Sequence, residues 1–364
     1  MLLPNLGSHP YYIVAPRYVQ TSAGIRVLHL LCHLLRARGY RAYIVCIDRC
    51  EGPEVSSDLN TSLLNSVVIE DHIKQGLVPI LIYPEVIHGN PYDANCVARY
   101  VLNIPGLLAG DKVFDDNEMV WAYSNILARQ CESCEGVLHM PVIDQYVFYE
   151  GVGRQRSGSA YYVAKYTDYH RQVEFGVPAD SIRITRDKKD SQTPDEMAEI
   201  FRSVEVLYVF ENTAVAIEAV LCGCPVIFMP NPYLEKPLAL EELGWDGYAW
   251  GASGEEVARA RSTVAKGQDN YKRTINEFET QLSDFIEKTQ DKAKNCATQT
   301  FEKLEKHLRP TSSYAVIRRS LKRHKKIKLK HVLLILKTIL KLLPRALWNE
   351  VKKGGLKIKR LFAA

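Results

Sequence analysis

The feature that most constrains this chain is the run from Val204 to Pro230, VEVLYVFENTAVAIEAVLCGCPVIFMP. Val204–Phe210 is an apolar run of strand length, and Pro225–Pro230 is another. Between them Thr213 is a good helix start, Ala214–Leu221 is apolar except for Glu218, and Gly223 ends the helix. A strand, a helix and a strand in such close succession belong to a β/α series. They place Glu211, Asn212, Thr213 and Ala214 at the carboxyl end of a strand and the amino end of a helix. In an open α/β sheet that is where ligands bind, and the helix amides and dipole there favour an anion such as a diphosphate. Glu218 is costly in an apolar helix unless it has partners. Two readings are open: it accepts the two hydroxyls of a ribose, or it pairs with an arginine or caps a backbone group.

The same grammar recurs along the chain. Tyr11–Ala15 reads as a buried parallel strand, Ile25–Arg38 as an amphipathic helix stopped by Gly39, and Arg41–Ile47 as a second strand. Val78–Tyr83 is a further strand, Val97–Leu102 reads as helical, Val120–Tyr123 as extended, and Gly136–Val142 as a short apolar run. Gly151–Ser159, rich in Gly, Arg and Ser, reads as a linker. After it come apolar runs at Ala160–Lys165 and Ser181–Thr185, then a capping box with Pro at the first helical position, Thr193-Pro-Asp-Glu196. Asn276–Leu308 reads as a long polar helix or helix pair. At roughly 100–200 residues per domain, 364 residues suggest two domains. The expectation is an α/β chain of two Rossmann-like domains facing across a cleft, 1–152 and 153–310, with a basic amphipathic helical tail at 311–364.

FENTAVAIEAVLCGCPVIFMP resembles the nucleotide-binding signature of group 1 GT-B glycosyltransferases, which carry two Glu followed by an A-x-x-x-G-x-P-V-I run. The match maps onto Glu211, Glu218, Gly223, Pro225 and Val226, with one residue fewer between the two Glu than the family's pattern. The resemblance implies that Glu218 binds the nucleotide ribose and that Glu211 with Asn212, Thr213 and Ala214 contacts the sugar and phosphates. It also implies that Gln20–Gly24 is a loop lining the cleft, with Gly24 at the ligand, and that Lys165 holds the diphosphate. The implied function is transfer of a sugar from a nucleotide-sugar donor to a glycan or lipid-linked acceptor, with retention of anomeric configuration, in surface polysaccharide assembly of the O-antigen or capsule type. Two other readings stay open: a sugar-nucleotide epimerase on the same fold, and a non-catalytic membrane-associated scaffold.

Such a transfer needs a stabilised leaving diphosphate, a positioned acceptor hydroxyl and a donor held from water. A cation and a helix amino terminus can serve the diphosphate, and no Asp-x-Asp stands ready for a metal, so neither metal nor cofactor is expected. Tyr83–Pro91 follows a strand and brings Glu85 and His88 close together as candidate acid/base residues on the acceptor side. A loop histidine making local hydrogen bonds is the plainer alternative for His88, and His139, in an apolar run, is the weaker candidate.

Charge is segregated. From Arg318 onward there are 16 Lys/Arg and one acid, Glu350, so the remainder holds 47 − 16 = 31 bases and 42 − 1 = 41 acids; the body is −10 and the tail +15. Lys330–Leu343, KHVLLILKTILKLL, is far shorter than the roughly 20 apolar residues that span a bilayer. With Trp348 and Phe362 beyond it, a basic amphipathic segment at the surface of an anionic membrane is expected, rather than a nucleic-acid site. Nine cysteines without zinc spacing, and no leader-like opening, suggest free thiols in the cytoplasm, on the inner face of the membrane.

Overall fold

The computed structural model describes residues 7–48, 54–164 apart from 152 and 154, 176–186, and 191–308 apart from 233. Lys165 and the whole basic tail lie outside the described residues. Residues 1–308 form one compact unit, and it is built on two parallel sheets.

The first sheet has strands β1 (Tyr11–Ala15), β2 (Ala42–Cys46), β3 (Ile80–Pro84), β4 (Val97–Val101), β5 (Met119–Ala122) and β6 (Gly136–Val137) in the order β2-β1-β3-β4-β5-β6. The second has β7 (Ser159–Tyr162), β8 (Ile182–Ile184), β9 (Val206–Val209), β10 (Val226–Phe228) and β11 (Tyr248–Trp250) in the order β11-β10-β9-β7-β8. All pairings are parallel. Each sheet changes winding direction once, between β1 and β3 and between β7 and β9. A crevice opens at such a switch point beyond the carboxyl ends of the two strands. The expected α/β architecture of two Rossmann-like sheets is therefore present.

The helices follow the apolar spacing. α1 (Ala23–Ala37) buries Val27, Leu28, Leu31, Cys32 and Leu35 against the first sheet, and it starts two residues before the expected Ile25. α2 (Ser66–Lys74) follows β2 and α3 (Asn125–Ala128) follows β5. α4 (Pro194–Ser203) opens on the predicted capping box, with Thr193 and Glu196 each accepting from the other's amide. α5 (Val215–Leu221) is buried along its whole length, and Gly223 ends it at φ +73°. α6 (Leu240–Leu243) and α7 (Gly254–Thr263) flank β10 and β11. α8 (Gly267–Lys294) is 28 residues long, about 42 Å at 1.5 Å per residue. Tyr271 near its start packs in the second sheet's core, whereas Phe278, Leu282, Phe285 and Ile286 pack in the first sheet's core. α9 (Glu302–Leu308) then lays Leu304 on the first sheet's other face, beside Tyr12 and Val14.

One expectation fails. Val97–Leu102 is not helical: it is the central strand β4, buried at all five positions. The polar Arg99 disguises it, and that guanidinium is neutralised inside the protein by a bidentate pair with Glu118, 2.7 Å on each arm. Gly151–Ser159 lies on the stretch that leads from β6 to β7, and Arg156 within it is held in place. Arg156 donates to the carbonyls of Phe201, Val204 and Cys222, which clamps the crossing to the second sheet's helices.

Candidate functional site

The strand-end edges of both sheets border one cavity of about 310 Å³. From the first sheet come Pro16 after β1, Pro84 and Glu85 at the end of β3, Leu102 and Asn103 after β4, and Tyr123 after β5. The second side supplies Asn212, Thr213 and Ala214 after β9 and the segment Pro237–Leu240. The cavity thus sits at the switch point of the first sheet and faces the end of the central strand of the second. Of the residues singled out from the sequence, Gly24, Glu85, Asn212, Thr213 and Ala214 line it together.

Gly24 lies in the first turn of α1, not in a loop, and a Cβ there would make ordinary contact with Leu102 at 3.8 Å. Glu85 is buried in the cavity wall and accepts from the Leu102 amide at 3.0 Å. Its backbone is fixed by Gly110, whose φ is +79° and where any Cβ would fall 1.8 Å from the Glu85 carbonyl oxygen. Only glycine meets both demands. Asn212 uses its amide on the chain across from it, donating to the Lys236 carbonyl and accepting from the Leu238 amide at 2.9 Å. It therefore holds the 236–238 wall as well as facing the cavity. Thr213 accepts from the Val215 amide at 3.2 Å and starts α5.

The other expected residues stand apart from that cavity's lining. His88 is not brought to Glu85 as an acid/base partner. Its side chain is 73% exposed and its Nδ1 lies 3.0 Å from Asp111, which also accepts from the Gly89 amide. These two contacts hold the Asp111 carboxyl below its usual range, the His88 bond contributing most. The local hydrogen-bonded reading of His88 is the one the geometry carries. Glu211 accepts from the Ala164 amide at 3.1 Å, tying the ends of β9 and β7 across the second switch point. His139 is a core residue: burial lowers its pKa to about 4, and its ring lies 4.5 Å from that of Tyr123.

Glu218 has no exposed surface. Arg186, just past β8, donates from Nη1 to both carboxylate oxygens at 3.2 Å, and Arg26 of α1 approaches Oε1 at 3.5 Å. The arginine-paired alternative is therefore the one present, and no Glu218 surface is left for a ribose. Arg26 reaches it from the first sheet, so this carboxylate joins both halves of the unit. A second tie is made by Glu242 of α6, which accepts from the Asn125 amide at 2.6 Å and its side chain at 2.8 Å. Sequence reasoning missed Arg26 and Arg186. The one signal for them was the cost of an isolated carboxylate in an apolar helix.

The eight described cysteines are free thiols. Burial pushes Cys222 and Cys224 up to about 12, so both stay protonated. Among the described residues no helix is long and apolar enough to cross a membrane.

No protein-family model and no curated protein matches this chain. Solved structures it is similar to include the glycosyltransferase SnogD from Streptomyces nogalater, at 10% identity and a TM-score of 0.39, covering 77% of this chain and 100% of that one. They also include the spinosyn rhamnosyltransferase SpnG, at 12% identity and a TM-score of 0.34, covering 86% of this chain and 100% of that one.

Proposed function

We propose that this protein is a glycosyltransferase that moves a sugar from a nucleotide-sugar donor to an acceptor hydroxyl in the cavity between its two sheets. The observation that carries the reading is the meeting of Gly24 and Glu85 with Asn212, Thr213 and Ala214 around one cavity at the strand ends. These are the residues the signature-like run and the β3 loop single out, and strand ends at a switch point are where α/β sheets take ligands.

In this reading the first sheet presents the acceptor and the second the donor, with residues 1–152 and 153–310 as the two functional halves. The acceptor oxygen bonds to the anomeric carbon on the same face from which the diphosphate oxygen departs, as that carbon–oxygen bond breaks, so configuration is retained. The nucleoside diphosphate leaves with that electron pair, and the hydroxyl proton passes to Glu85. Lys165 would meet the leaving diphosphate. Retention of configuration, a glycan or lipid-linked acceptor in surface polysaccharide assembly, and docking of residues 318–364 on the anionic inner face of a membrane belong to the same proposal. Their support is the signature-like run and the charge segregation of the sequence.

Thermal-shift measurements with UDP-, GDP-, dTDP- and CMP-sugars test it. One base class should raise the Tm of the full chain. Glu85→Gln should keep that shift and lower the transfer rate by about 10²-fold or more, the usual scale for a lost general base. No shift with any nucleotide sugar would sink the reading. Flotation of the full chain, but not of residues 1–317, with anionic vesicles tests the tail's role.

A further inference from the structure

The walls of the cavity carry information about the acceptor that its polar groups do not. Ile25, Leu102, Leu108, Val142, Ile217 and Leu238 line it, together with the tyrosine rings of Tyr123 and Tyr248. Among the described lining residues, those two tyrosines apart, side-chain polar atoms come from Ser22, Glu85, Asn103, Asn212 and Thr213. Four of these five are already engaged by nearby backbone: Glu85 accepts from the Leu102 amide, Asn103 accepts from the Ile104 amide, Asn212 holds Lys236 and Leu238, and Thr213 accepts from Val215. A polysaccharide end, with hydroxyls on every face, would lose water here and find few partners, which is costly. A hydrocarbon surface would gain. The apolar lining also continues outward. Leu108 is 42% exposed and its neighbour Leu107 is 58% exposed, on a loop turned by Gly106 and Gly110 at positive φ. The one carboxylate in the wall, Glu85, sits beside Leu102, to whose amide it is bonded.

We propose that the acceptor is an amphiphilic alcohol: its hydrocarbon part occupies the cavity between Leu102, Leu108 and Leu238, and its hydroxyl-bearing end lies at Glu85. This rests on the glycosyltransferase reading above and narrows its acceptor to one with an apolar body.

Titration calorimetry of the full chain with n-octyl β-glucoside, below its micelle concentration, against methyl β-glucoside tests the proposal. Each methylene fully buried tightens binding by roughly fourfold, so the octyl compound should bind at least about 100-fold more tightly even with partial burial. Leu108→Asp, at a half-exposed position, should cut that preference to below about tenfold with the Tm unchanged, because a charge in an apolar wall opposes the chain. Leu238→Asp should do the same from the opposite wall. Equal affinity for the two glucosides, or a preference that survives Leu108→Asp, overturns the proposal. The nucleotide-sugar thermal shift is read separately. A nucleotide shift without chain-length preference leaves the transferase reading and removes this one. A chain-length preference without any nucleotide shift removes the transferase reading and with it the acceptor role.

Discussion

Glu218 is a carboxylate placed in the middle of a seven-residue apolar helix, buried away from bulk solvent. Its solvation has been replaced by two guanidiniums, 32 and 192 residues away in sequence. Removing one member of a buried ion pair leaves the other uncompensated, at a cost of about 3–5 kcal/mol, whereas an apolar replacement of the pair can be nearly neutral. Glu218→Ala should therefore lower the Tm by on the order of 10 °C, and Glu218→Met combined with Arg186→Met should recover much of that loss. Differential scanning calorimetry of the three chains decides it; a single variant as stable as the parent would show that the pair contributes nothing. Local reasoning could establish that Glu218 needs partners. It could not say which, because sequence neighbours never meet this carboxylate and the arginines arrive by tertiary folding. The same holds for Asn212, whose amide meets a wall segment some 24–26 residues later.

At the scale of elements, α8 does what no other described helix does, filling the second core with Tyr271 and the first with Phe278, Leu282 and Phe285. Phe285 stacks on Tyr11 at 6.2 Å and meets Trp121 edge-on at 5.1 Å. Phe285→Ala should cost about 3–5 kcal/mol, since the rings around it are held by strands and cannot collapse into the space; the urea midpoint measures it. Elements with one dominant local signal were legible in the sequence: β1, α1, the capping box of α4, and the β9–α5–β10 run. Those whose meaning depends on distant partners were not. β4 reads as something other than a buried strand until Glu118 is brought against Arg99. β11, the three residues Tyr248–Trp250, has too little length to signal anything until β10 pairs with it. The cavity was half legible. The residues at the ends of β9 and β3 follow from strand-end position alone, whereas the placement of His88 beside Asp111, outside the cavity's lining, does not, because a loop's direction is not encoded in its distance from a strand.

At the scale of the molecule, buried histidines set a limit on acid stability, with His72 and His139 the most strongly shifted among the described residues. Burial lowers both His72, whose Nδ1 lies 2.8 Å from the Tyr12 hydroxyl, and His139 to about 4. The unfolded chain takes up these protons from about pH 6.5 downward, and the folded chain does not until about pH 4. Their contribution is thus complete above pH 6.5 and is lost as pH falls toward 4, by up to about 1.4 kcal/mol per pH unit for each ring. Denaturant midpoints at pH 7 and pH 4.5 should show this slope, and replacing His139 by a residue that does not titrate should flatten it. A pH-independent midpoint over that range would contradict the assignment.

The path of α8 also bears on how the protein is made. Gln290 exchanges hydrogen bonds with both backbone groups of His9 at the entry to β1, and Phe285 covers β1 and β5. The first sheet is complete once Val137 has been synthesised, yet its cover follows about 150 residues later. At about 5–20 residues per second that is roughly 7 to 30 s of translation with an aromatic face bare. The first sheet therefore reaches its native packing only when the ribosome has delivered the other sheet and α8 as well.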